Sequence, residues 1–103
     1  MTVDGELSRA VAVYVTTRPH GFPHQDPGAL AAAFGRAAED LKRRIDGLIG
    51  EMFTAPPPWL GRSEPMQLDE LFRVVGASVG ERHPELSPEA VAALANYYTY
   101  CSR

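Results

Sequence analysis

Two clusters in this 103-residue chain carry side-chain types that do chemistry. His20-Gly21-Phe22-Pro23-His24-Gln25-Asp26 sets two imidazoles and a carboxylate within seven residues, types that ligate zinc or copper. Gly21 and Pro23 break the helical spacing that would put both rings on one face. Asp26 reads as a helix cap, and no third nitrogen or sulfur ligand is near in sequence. No metal is expected, and His20, His24 and Asp26 stand as the set to watch. His83 and Cys101 are the types of a base and a nucleophile. A reactive thiolate needs a helix N-terminus or a cationic neighbour, whereas Cys101 falls at a helix C-terminus, where the dipole opposes it. It reads as a small packing residue. The chain has no phosphate-cradling glycine loop, nucleophile elbow or ordered carboxylate pair. The expectation is a non-enzyme without catalytic residues or cofactor.

Recognition chemistry is the alternative. Tyr97, Tyr98 and Tyr100 cannot share one face, because successive helical residues diverge by about 100°. At least one ring should therefore be partly exposed, a position where tyrosine serves interfaces. The competing reading puts Tyr98 in the core and leaves the other two covering the bundle end. Trp59 follows Pro56, Pro57 and Pro58, either as a lid on the core or as an anchor beside a polyproline segment. Residues 63 to 103 hold three basic and six acidic side chains. Tyr97, Tyr100, Trp59, Glu85 and Glu89 are the expected partner-binding residues.

These groups are positioned by helices separated by proline-rich connectors. In His83-Pro84-Glu85-Leu86-Ser87-Pro88-Glu89, Ser87 is a favoured N-cap, Pro88 loses no needed N–H, and Glu89 meets the positive dipole end. Leu86 and Val91 occupy the two staple positions. The helix that follows, 88–102, places Val91, Leu94, Ala95 and Tyr98 on one stripe. A first helix over 5–17, capped by Asp4, carries Leu7, Val11, Tyr14 and Val15; alternation of Val11, Val13 and Val15 makes a strand the competing reading. Asp26-Pro27 opens a second, unbroken helix over 27–53, about 40 Å long, with Leu30, Phe34, Ala37, Leu41, Ile45, Leu48 and Met52 in register. Its other face should pair Glu39 with Arg43 and Asp40 with Arg44, and Gly47 and Gly50 should loosen its last turns. A third helix over 66–82 turns Leu68, Leu71, Phe72, Val75 and Val79 inward, with Gly76 and Gly80 permitting close approach of another helix.

Length and composition agree with one domain over residues 1–103. The fold expected is all-α: an irregular antiparallel four-helix bundle with one long central helix and a proline-rich crossover. No apolar run approaches a membrane span, no leader is evident, and one cysteine excludes an internal disulfide, so a cytoplasmic protein is expected. Nine arginines against one lysine suggest a GC-rich, bacterial genome. The net charge of −3 attracts neither nucleic acid nor anionic lipid. The function expected is a small protein-interaction module that binds or inhibits one protein partner, of immunity, antitoxin, inhibitor or adaptor type. A homodimer along the second or the tyrosine helix is compatible with that. The runner-up is a helix-turn-helix-like nucleic-acid binder, although residues 87 to 102 contain no Arg or Lys. Third comes a metal protein or enzyme built on the His20, His24 and Asp26 loop.

Overall fold

The structure, a computed structural model, describes residues 4–17, 21–61, 63–64 and 66–101. It is all-α apart from one small strand pair. The elements are α1 (Gly5–Tyr14), β1 (Val15–Thr16), β2 (His24–Gln25), α2 (Pro27–Phe34), a 3-10 turn (Gly35–Ala37), α3 (Ala38–Thr54), α4 (Leu68–Arg82) and α5 (Pro88–Cys101).

The helix starts are set by local caps. Asp4 accepts the Leu7 N–H at 3.0 Å and Asp26 accepts the Ala29 N–H at 3.0 Å, with Pro27 in the first turn of α2. Ser87 Oγ accepts the Ala90 N–H at 3.2 Å. Each satisfies one of the amides that a helix start leaves without an internal partner. The starts of α1 and α5 are also tied together. Asp4 N–H donates to the Glu85 carbonyl at 2.7 Å, and Ser87 N–H donates to Ser8 Oγ at 2.9 Å.

Three expected boundaries differ. The first helix ends at Tyr14 rather than 17, because Val15 is extended and pairs antiparallel with Gln25 while Thr16 pairs with His24. The helix reading therefore holds to Tyr14, and the strand reading fails for Val11 and Val13, which are helical; of the alternating valines Val15 alone is extended. The expected unbroken helix over 27–53 is interrupted at Gly35, whose φ of 56° and ψ of −120° lie where only glycine is at ease. The turn lets α2 and α3 both pack against α1, which a straight rod could not do. Even so, α3 is the longest helix, with 17 residues. The third helix begins at Leu68 instead of 66. The fourth runs from Pro88 to Cys101, and the expected last residue, Ser102, lies outside the described residues.

The core draws on every helix: Leu7, Val11 and Tyr14 of α1, Leu30 of α2, Leu41 and Ile45 of α3, Val75 and Val79 of α4, and Leu94 and Tyr98 of α5. Leu68 and Phe72, expected to be buried, are 47% and 38% exposed, and in this first part of α4 it is Leu71, 3% exposed, that the core takes in. Gly76 faces Ala95 and Val91 while Gly80 faces Val91, so α4 and α5 run antiparallel. A methyl group on Gly76 would meet Ala95 Cβ at 3.7 Å, an ordinary contact. The packing therefore does not require glycine there.

The ion pairs on α3 also differ from the expected ones. Arg43 reaches back to Asp40 at 3.6 Å, Lys42 pairs with Asp46 at 2.8 Å, and Arg44 crosses to Asp4 at 3.4 Å. The Asp40–Arg43 pair is so exposed that it adds little to stability.

Candidate functional site

The α4 helix packs on α5 and stands away from most of α3, leaving a cleft of about 220 Å³ between α3 and α4. One wall is Leu48 and Met52 of α3; the other is Val74, Val75 and Val79 of α4. Leu94 and Tyr98 of α5 form the floor, and Pro56 and Pro58 of the crossover close one side. The α4 wall from Val74 to Arg82 is nine residues, or about 12 Å along the helix axis.

The two ends of the cleft differ in chemistry. At one end Phe53 stacks on Tyr98 with centroids 4.9 Å apart, Trp59 lies 6.4 Å from the same ring, and Tyr97 meets Phe53 edge-on at 6.3 Å. Burial pushes the Tyr98 phenol above its ordinary range. Burial does the same to Tyr97, aided by the neighbouring Cys101 thiol. Phe53, Trp59 and Val74 around this part of the cleft are 45%, 40% and 40% exposed. These exposed apolar side chains thus adjoin apolar walls.

At the other end, His83 sits at the C-cap of α4 between two carboxylates. Its Nε2 is 3.1 Å from Glu51 Oε2, and its Nδ1 is 3.2 Å from Glu85 Oε1. Arg82 adds a looser contact to Glu51 at 3.5 Å.

The cleft collects some of the residues singled out from sequence and leaves others elsewhere. Trp59 and Tyr97 belong to its aromatic end, and Glu85 to its charged end. Tyr100 stacks instead on Phe22, 6.0 Å away, and Glu89 borders a separate shallow groove with Phe72 and Ala93. His24 Nδ1 is 2.9 Å from the Phe22 carbonyl, Asp26 is engaged as a helix cap, and His20 lies outside the described residues. Among the described residues, no three His, Cys, Asp or Glu side chains are grouped so as to hold a metal ion. Nor is any helix there long and apolar enough to cross a membrane.

The sequence places Leu48, Met52, Val75, Val79 and Leu94 in the core; Met52, Val75, Val79 and Leu94 are buried there, Leu48 packs against it, and all five also line the cleft. Val74 falls beside the periodic stripe, next to Val75, and no helical spacing marks it as exposed. The central position of α5 bears on nucleic-acid binding as well. Ala90, Leu94, Ala95, Tyr98 and Thr99 are buried, and Glu89, Ala92 and Asn96 are among its exposed positions. A helix so engaged offers a groove little with which to neutralise phosphates.

No protein-family model, curated protein or solved structure matches the chain. The functional reading therefore rests on the chemistry of the cleft.

Proposed function

We propose that this protein is a non-enzymatic interaction module that binds an apolar segment of one protein partner over the rim of the cleft between α3 and α4. The observation that carries this is the exposure of three apolar side chains at the cleft: Val74 on its α4 wall, and Phe53 and Trp59 against the ring of Tyr98, which lines it. Apolar surface kept in water gains about 25 cal/mol per Å² when a partner covers it. An aromatic cluster beside a pocket is also where interface energy concentrates. Whether the partner is inhibited or assembled depends on what that segment does elsewhere.

Tagged wild type and Val74→Asp, prepared with matched thermal midpoints, separate this reading from others in pull-downs from the source cells. Val74 is exposed, so its aspartate should burden partner binding and spare the fold. A stoichiometric protein held by wild type and by Tyr100→Ala but lost from Val74→Asp is the expected result. Equal recovery by Val74→Asp, or recovery of the bait alone, would sink the proposal.

A further inference from the structure

We infer that the protein pairs with a second copy of itself about a two-fold axis, the Leu68–Phe72 ridge of α4 in each copy entering a groove on the other. This surface is separate from the α3–α4 cleft and goes beyond the interaction reading above. Successive helical residues turn by about 100°, so Phe72 and Val74 face opposite sides of α4. On the Phe72 side lies a groove of about 440 Å³, lined by Ala12 of α1, Val15 of β1, Phe72 itself and Ala92, Ala93 and Asn96 of α5. Alanine side chains leave room there. Phe72 is 38% exposed, and Leu68, one turn earlier on the same side of α4, is 47% exposed.

A second copy is selected because apolar ridge and groove share one face. A two-fold interface needs a patch that complements itself, so that each residue meets in the other copy what its own counterpart meets in return. Gly76 faces Ala95 and Val91 across the antiparallel helices, so Phe72, one turn earlier, lies at the Asn96 end of the groove. Glu89 borders the other end, seven residues or about 10 Å along α5. An axis near Ala92 and Ala93 therefore carries the Phe72 end of one copy onto the Glu89 end of the other. The charges fit the same operation. Arg73 adjoins Phe72 in sequence, and Arg73 and Glu89 are both exposed. Among the described residues neither has an ion-pair partner. In the dimer each Arg73 meets the Glu89 of the other copy, a contact made twice. An interface of this kind is small, so association belongs to the micromolar range.

Sedimentation velocity of the full chain from about 5 to 500 µM reads the association directly. Wild type should pass from monomer to dimer across that range, and Phe72→Asp should associate at least about tenfold more weakly. The deciding pair is Arg73→Glu and Glu89→Arg. Each alone sets like charges opposite one another at both contacts and should weaken dimerisation about tenfold. Mixed in equal amounts, the two variants restore opposite charges at both contacts and should form a heterodimer with wild-type affinity. Thermal midpoints establish that each variant is folded, and the mixed pair tests the interface even if Phe72→Asp is not. A wild type that stays monomeric throughout, a dimer that folded Phe72→Asp leaves intact, or a mixture that associates no better than its components would overturn the inference.

Discussion

A serine inside a helix commonly bonds to its own preceding turn, yet Ser8 Oγ accepts the Ser87 N–H at 2.9 Å across 79 positions of sequence. Ser8 is itself 5% exposed, so little water can take its place. Replacing Ser8 with Ala removes the acceptor and leaves a sheltered amide without a partner, a change that costs about 1–2 kcal/mol. Urea unfolding of Ser8→Ala should show that loss at an unchanged slope; a loss below about 0.3 kcal/mol would mean the amide finds water. The contrast with the caps shows what the sequence can reveal at this scale. Asp4, Asp26 and Ser87 each bond to an amide three residues on, so spacing alone exposes them. Ser8 has no such local mark. The same limit applies to His83, a base for Cys101 by residue type alone, which instead bonds to Glu51, 32 positions away.

At the scale of the element, glycines with the same name have opposite roles. Gly35 ends α2 with φ at 56°, whereas Gly76 lies inside α4 with ordinary space in front of it. Gly35→Ala should therefore destabilise by about 1–3 kcal/mol through backbone strain. Gly76→Ala should stabilise by about 0.5–1 kcal/mol through helix propensity. Denaturant midpoints moving in opposite directions would bear this out, and a loss at Gly76 would show that α4 and α5 press closer than their contact distances indicate. Apolar periodicity exposed the helices because α1, α3 and α5 each bury one stripe. It did not expose the break at Gly35, since the stripe from Leu30 to Met52 runs through that residue in register. Gly47 and Gly50, expected to loosen α3, leave it continuous to Thr54. The cleft was illegible for a related reason: a stripe tells which face is apolar, not whether another helix reaches it.

For the molecule as a whole, three phenols set the response to alkali. Burial raises Tyr14, Tyr97 and Tyr98 above the ordinary value of 10.0, and for Tyr14 the Asp46 carboxylate at 2.9 Å adds to that effect. A raised folded value means that the unfolded chain gives up its protons first. The stability these groups contribute is thus fully present below pH 10.0 and is lost as pH climbs through the folded values. Lys42, raised above 10.5 mainly by its hydrogen bond to Asp46, adds to the same limb with the same sign. Urea midpoints should hold steady from about pH 7 to 9.5 and fall beyond pH 10, less steeply in Tyr14→Phe. An identical fall in that variant would assign the limb to Tyr97, Tyr98 and Lys42. The bonds between residues 4–8 and 85–87 have a further consequence, for the order of synthesis. α1 leaves the ribosome early, but the amide of Ser87 and the carbonyl of Glu85 that it binds are made some 80 residues later. α4 likewise must wait for α5, its main packing neighbour. Until α5 emerges, the nascent chain therefore carries α4 with its apolar face uncovered and α1 covered only by α2 and α3, which makes that interval the one in which a chaperone would find most to hold.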